Sequence, residues 1–109
     1  MQARFAKLAD VVVVELKGRL SFETTEPFRR TCMERLVSEK VVFDLRHLSF
    51  VGSLGLKDFV DTLDRLAQNS GAGVRFCGVS SEFRRLFEDS GLGHIENFES
   101  PEKAIQSFI

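Results

Sequence analysis

Residues 41–66, VVFDLRHLSFVGSLGLKDFVDTLDRL, carry the signals that decide the fold. The apolar run at residues 41–43 has the length of a buried strand and is too short for a helix. Residues 44–52 are expected to form a loop. Apolar side chains then recur at helical spacing, which predicts an amphipathic helix that begins at Ser53. These side chains are Leu56, Phe59, Val60, Leu63 and Leu66.

Ser53 stands where this helix is expected to begin. Serine is a favoured N-cap because its oxygen accepts a backbone N–H that lacks a partner within the helix, and a plain capping role is the simplest interpretation. Gly52 and Gly55 leave little side-chain bulk around the hydroxyl, so another protein could reach it. A phosphate here would face the positive end of the helix dipole. Ser53 is therefore also a candidate phosphorylation site, where roughly −1.5 to −2 of new charge would change a binding surface without unfolding the domain.

Leu54 departs from the apolar stripe of the same helix. At about 100° per residue it points away from the stripe and lies with Asp58, Asp61 and Arg65 on the expected solvent face. Two interpretations stay open. Leu54 either tucks under a neighbouring loop or anchors a docking partner beside Ser53.

Composition limits the class of protein. The chain has 109 residues, of which 43% are apolar and 28% charged, and its formal charge is −1. This length and composition predict one globular domain over residues 1–109. Acidic and basic residues are interleaved, so the chain lacks the basic face that nucleic-acid binding needs.

The cysteines and the N-terminus indicate the compartment. Cys32 and Cys77 fit no disulfide or zinc spacing and are expected to be small core residues. No apolar signal-peptide core is visible, and the VVVV run at residues 11–14 is too short to span a bilayer. We therefore expect a cytoplasmic protein with no direct membrane insertion.

The remaining elements predict the order β-β-α-β-α-β-α-β-α. We expect strands at residues 3–9 and 11–17, joined by a turn at Asp10 and ended by Gly18. Pro27 is expected in the first turn of a helix that runs to about Lys40. Further segments are a strand at 74–79, a helix from Ser80, a strand at 94–98 and a last helix after residue 100. Alternating strands and helices indicate an α/β fold: a mixed, mostly parallel sheet of about five strands, an antiparallel first pair and about four helices.

No set of residues indicates an enzyme. His47 and His94 have no carboxylate or thiol at catalytic or metal-binding spacing, and no nucleophile–base pair is visible. The glycines at 71 and 73 lack the lysine of a phosphate-binding loop. We expect no catalytic activity, cofactor or metal.

Three segments resemble the STAS domain (sulphate transporter and anti-sigma factor antagonist). DLRHLSFVGSLGL at residues 44–56 is similar to the family's signature, in which a strand, a loop and a serine-capped helix carry an Asp-Ser-Ser/Ala-Gly-Leu type motif. FCGVSSEFRRLFEDSGL at 76–92 resembles its strand followed by a helix ending in Ser-Gly-Leu. VVVVELKGRLS at 11–21 resembles its second strand and the turn after it. The resemblance covers nearly the whole chain.

The resemblance implies a small α/β domain that binds a kinase-like anti-sigma factor in bacterial partner switching. In that scheme the unmodified antagonist occupies the anti-sigma factor and frees a sigma factor for transcription. Phosphorylation by the ATP-binding anti-sigma factor, a serine kinase, ends the binding, and a phosphatase restores it. Carried over to this chain, Ser53 matches the phosphorylated serine, and Gly55 and Leu56 match the Gly-Leu that follows.

Three positions depart from the family's pattern. Gly52 stands where an acidic residue is usual, Leu54 where a second small residue is usual, and Ser21 where many members have Asp. The departures leave a second version open, an unphosphorylated STAS scaffold subunit of a signalling assembly or of a membrane transporter with its ATPase in lipid traffic. In both versions the expected partner-binding residues are Ser21, Gly52, Ser53, Leu54, Asp58 and Asp61. A ligand-sensing or enzymatic α/β domain is the third alternative, and it would need a polar pocket.

Overall fold

The computed structural model describes residues 1–50, 54–69, 73–89 and 95–109. Its strands are β1 (Gln2–Leu8), β2 (Val11–Leu20), β3 (Lys40–Phe50), β4 (Val74–Cys77) and β5 (Asn97–Phe98). Its helices are α1 (Phe22–Arg35), α2 (Leu54–Asn69), α3 (Ser81–Asp89) and α4 (Pro101–Gln106). The predicted order of strands and helices is confirmed.

The five strands form one sheet in sequence order, β1-β2-β3-β4-β5. β1 and β2 pair antiparallel through a two-residue turn at Ala9 and Asp10, both with positive φ (49° and 63°). The pairs β2–β3, β3–β4 and β4–β5 are parallel. The sheet is therefore mixed and mostly parallel, as predicted.

Both faces of the sheet are covered, which explains the unbroken valine run of β2. Helices α1, α2 and α3 pack on one face around a cluster of mutually contacting rings. The rings belong to Phe28, Phe43, Phe59, Phe76, Phe83 and Phe87. On the other face α4 covers a smaller cluster that includes Val13, Val42, Cys77 and Ala104. Cys32 and Cys77 are both buried, as expected.

The prediction of a loop at residues 44–52 is wrong for its first seven residues. β3 continues through Asp44 to Phe50, and β2 pairs with it as far as Leu20 opposite Phe50. Polar side chains at 44, 46 and 47 indicate an early end of the strand. Pairing with β2 extends it, because backbone hydrogen bonding to a neighbouring strand outweighs the local loss of apolar residues.

β2 likewise continues past Gly18, where we expected it to end. Gly18 has φ +89°, a value that glycine adopts without steric cost, and it pairs with Leu48. The register between β2 and β3 shifts between Glu15 and Lys17, so a bulge absorbs one extra residue of β3. Both strands therefore end side by side, at the end of the sheet where the carboxyl ends of the parallel strands lie.

The bounds of α1 also differ from the prediction. The helix begins at Phe22, so Pro27 lies in its interior rather than in its first turn, and it ends at Arg35 rather than near Lys40. The predicted start relied on proline's preference for the first turn, yet Ser21 and Thr24 already form hydrogen bonds that begin the helix five residues earlier. The expected inward residues Phe28, Cys32 and Leu36 are buried.

The predicted starts of the last two helices are confirmed. Ser80 precedes α3, and its hydroxyl accepts the Phe83 N–H at 3.3 Å. Ser100 caps α4 by accepting the Lys103 N–H, also at 3.3 Å. β5 covers only residues 97 and 98 of the predicted 94–98, and residue 94 lies outside the described part of the chain.

Candidate partner-binding site

Two of the predicted site segments follow the carboxyl ends of adjacent parallel strands. Leu20 at the end of β2 pairs with Phe50 at the end of β3. The chain leaves β2 into Ser21 and α1, and it leaves β3 towards α2, which begins at Leu54. In open α/β sheets the carboxyl ends of the strands are the usual place for binding sites. Ser21 and the start of α2 thus lie at the same end of the sheet, where the parallel strands have their carboxyl ends.

Ser21 is half-buried and precedes the first turn of α1 in extended conformation (φ −125°, ψ 164°). Its N–H donates to Thr24 Oγ1 at 3.3 Å, and the Thr24 hydroxyl donates to the Ser21 carbonyl at 2.9 Å. The two hydroxyl oxygens lie 3.4 Å apart. Ser21 therefore fixes the start of α1 while part of its surface stays open to solvent.

Asp58 and Asp61 lie on the exposed face of α2, as the helical spacing predicted. Phe59, Val60, Leu63 and Leu66 are buried on the opposite face. Arg65 Nε lies 3.2 Å from Asp61 Oδ2, an exposed ion pair one turn apart. At 1.5 Å per residue, Asp58 and Asp61 stand about 6 and about 10 Å along the helix from residue 54. They form a short acidic strip that begins one turn into α2.

The remaining predicted residues are Gly52, Ser53 and Leu54. Gly52 and Ser53 lie outside the described residues, and of Leu54 only the backbone, at the first position of α2, is described. The first turn of α2 has no acidic residue. Lys57 is exposed at its fourth position.

Sequence reasoning missed a buried ion pair in β3. Asp44 is 2% exposed, and its carboxylate accepts hydrogen bonds from Arg46 Nε (3.0 Å), Arg46 Nη2 (2.9 Å) and the Arg46 backbone N–H (3.1 Å). A spacing of two residues puts both side chains on the same face of a strand. That spacing is visible in the sequence, but within a predicted loop it does not indicate an ion pair.

The Asp44–Arg46 ion pair has neighbouring side chains on β2 and β4. Asp44 stands opposite Glu15, which pairs with Lys17 at 3.3 Å, and opposite Cys77 on the other side. Burial alone would raise the pKa of Asp44, but the hydrogen bonds and charge of Arg46 hold it below its ordinary value. Burial, together with the neighbouring Asp44 charge, raises the pKa of Cys77 to about 12. This cluster lies on the α4 side of the sheet, away from α2, and supports β3 rather than the partner-binding residues.

Two open grooves lie between β1 and α1, and neither is lined by Ser21, His47, Asp58 or Asp61. Among the described side chains, no group of three or more His, Cys, Asp or Glu could hold a metal ion. No helix in the described ranges is long and apolar enough to cross a membrane.

A family model of the STAS domain matches residues 2–104. The chain belongs to the STAS domain family. The predicted family is thus confirmed. STAS domains, anti-sigma factor antagonists among them, are generally non-catalytic regulatory modules.

Several solved structures share the fold of this chain. An anti-sigma factor antagonist from Mycobacterium paratuberculosis superposes with a TM-score of 0.75 at 21% identity, over 98% of this chain and 92% of its own. The Bacillus cell-fate determinant SpoIIAA in its phosphorylated form gives 0.69 at 20% identity, over 99% and 100%. The murine anion transporter Slc26a9 gives 0.69 at 18% identity, over 94% of this chain and 18% of its own. The STAS fold therefore occurs both as a separate small protein and as part of a transporter.

Proposed function

We propose that residues 1–109 act as an anti-sigma factor antagonist-like binding module in bacterial partner switching, located in the cytoplasm. Its partner is an ATP-binding anti-sigma factor with serine kinase activity. The contact surface comprises Ser21, Gly52, Ser53, Leu54, Asp58 and Asp61. Phosphorylation of Ser53 ends the contact, and a phosphatase restores it.

One observation carries the proposal. The Leu20–Phe50 pairing brings Ser21 to the same sheet edge as the start of α2, with Asp58 and Asp61 exposed on that helix. A partner that approaches this edge can contact both segments at once. The similarity in fold to anti-sigma factor antagonists supports the choice of partner.

Electrostatics explains how a phosphate on Ser53 would act as a switch. The first turn of α2 has no acidic residue, so new negative charge there meets the positive end of the dipole and the domain stays folded. In the complex the same phosphate must lose water beside the acidic strip of Asp58 and Asp61. Desolvation and like charge both weaken the contact.

The direct test is a pull-down with the candidate anti-sigma factor. Ser53→Ala should bind like the unmodified protein, and Ser53→Asp should bind at least about tenfold more weakly. Ser81→Asp is the matched control, because Ser81 is exposed at the first position of α3. Equal binding by Ser53→Ala and Ser53→Asp would contradict the proposal that phosphorylation of Ser53 ends the contact.

A second pair of variants tests the surface itself. Asp58→Lys reverses an exposed charge on α2 and should weaken binding, whereas Glu88→Lys makes the same reversal on the exposed side of α3 and should not. Equal effects of the two substitutions would contradict the assignment of the surface to α2.

The second candidate function is an unphosphorylated STAS scaffold subunit that binds a transporter's ATPase. The occurrence of the fold within the Slc26a9 transporter, together with glycine at 52 and leucine at 54, favours it. Mass analysis after incubation with ATP and the candidate kinase separates the two functions. Stoichiometric phosphorylation of Ser53 supports the switch, and binding to the kinase or ATPase without any phosphoryl gain supports the scaffold.

A further inference from the structure

β1 forms one edge of the described sheet, and its outer backbone groups have no strand beside them in the described chain. The strand has seven residues and contains neither proline nor a bulge, two features that commonly protect an exposed edge. Six of its seven residues are exposed, including Leu8 at 53%. An edge of this length and regularity can pair with another strand.

We propose that β1 pairs antiparallel with β1 of a second copy of this chain, centred on Phe5. A two-fold axis perpendicular to the sheet requires one residue to face itself, so only a few registers exist. Centring on Phe5 uses all seven residues: Gln2 faces Leu8, Ala3 faces Lys7, and Arg4 faces Ala6. The pair forms roughly six to eight main-chain hydrogen bonds and a continuous ten-stranded sheet.

The charges on β1 select this register. Centring on Arg4 would put two arginines directly opposite each other, which is unfavourable. Centring on Ala6 would pair only residues 4–8. With Phe5 at the centre, both cations face alanine. Arg4 and Lys7 therefore exclude one competing register and are compatible with the longest one.

The groove beside β1 adds charge complementarity. Ala3 and Phe5 line a groove of about 330 Å³ together with Glu23 and Pro27 of α1. Lys7 of a second copy would stand opposite Ala3, on the side of the groove where exposed Glu23 lies. Two such contacts form by symmetry. In the single chain Lys7 forms a long ion pair with Glu39, at 3.9 Å, which it can give up.

This pairing is independent of the proposed partner surface. β2 separates β1 from β3, so Ser21, Asp58 and Asp61 are not part of the paired strands. A failure of the dimer would leave the partner-binding proposal intact, and the reverse also holds.

The test is sedimentation equilibrium with two opposite substitutions at Ala6, an exposed position that faces Arg4 of the second copy. Ala6→Glu should tighten the dimer and Ala6→Arg should weaken it, each by about two- to thirtyfold, because two symmetric pairs change. Arg19→Glu, an exposed charge reversal at the far end of β2, is the control and should leave the dimer constant unchanged.

Amide hydrogen exchange provides the second measurement. Alternate amides of β1 should become protected as the protein concentration rises, without any partner present. A protein that stays monomeric up to roughly 1 mM overturns the proposal. Ala6→Glu and Ala6→Arg shifting the dimer constant in the same direction overturns it too, as does a dimer whose β1 exchange is independent of concentration.

Discussion

Removal of the Arg46 side chain should destabilise the domain far more than the loss of an exposed arginine normally does. Arg46 is 41% exposed, yet two of its nitrogens bind the carboxylate of Asp44, which is 2% exposed. In Arg46→Ala that carboxylate keeps the backbone N–H at 3.1 Å and still faces Glu15. The buried Asp44 carboxylate then has no counter-ion and lies opposite another acidic residue, Glu15.

The magnitude follows from these contacts. A hydrogen bond to a charged group contributes about 1.5–3 kcal/mol. Two are lost, but the exposure of Arg46 lets water reach the vacated position and replace part of them. We expect the free energy of unfolding to fall by about 2–3 kcal/mol, which is about 8–12 °C in Tm for a domain of this size. The free energy of unfolding of Arg46→Lys should lie between those of the unmodified protein and Arg46→Ala, because lysine restores the positive charge without the bidentate hydrogen bonds.

The dependence on pH gives a second readout. The pKa of Asp44 is lowered in the folded state, so its stabilisation is fully present above its unfolded pKa and is lost as pH falls through the folded pKa. Arg46→Ala removes the group that lowers this pKa. The stability difference between the two proteins should therefore be largest above about pH 5 and shrink below about pH 4.

Urea unfolding across this pH range is the assay, with Arg19→Ala as the control. Arg19 is an exposed strand arginine and should change stability by less than about 0.5 kcal/mol. The reasoning is refuted if Arg46→Ala matches Arg19→Ala at neutral pH, or if its stability loss stays constant down to about pH 3.

Three further predictions concern other parts of the fold. Burial raises the pKa of the Cys32 and Cys77 thiols to about 12, so alkylation of the folded protein at pH 8 should be about a thousandfold slower than that of the unfolded chain; comparable rates would contradict the burial. Ala9 has φ +49°, so Ala9→Gly should raise the free energy of unfolding by about 0.5–1 kcal/mol in urea titrations, and a loss of stability would argue against the turn. Gly78 has φ +69° and its added Cβ would overlap Arg46, so Gly78→Ala should lower thermal stability by about 1–3 kcal/mol, whereas an unchanged Tm would exclude that close approach.

Much of the fold could be predicted because its signals are local. Period-3.6 spacing identified the buried face of α2, and Ser80 and Ser100 marked the starts of α3 and α4 through hydrogen bonds within a few residues. The antiparallel β1–β2 pair was predictable because the two strands are close enough in sequence to form a hairpin. These features depend on residues that are neighbours in the sequence, so a single sequence is enough to predict them.

The errors arose where distant pairing decides the structure. Asp44 and Arg46 have the composition of a loop, but in β3 the two charges pair with each other, and the backbone of β3 pairs with β2 and β4. Ser21 was expected to be a contact residue, and its hydrogen bonds with Thr24 also begin α1. The ion pair could not be recognised until residues 44–50 were known to be a strand.

The measurement that tests the central claim most directly is amide hydrogen exchange of this protein with and without the candidate ATP-binding partner. Binding should slow exchange at residues 21–24 and in the first two turns of α2, while β1 and α4 remain unchanged at constant protein concentration. Slowed exchange confined to α4 or β1, with no change in α2, would contradict the account.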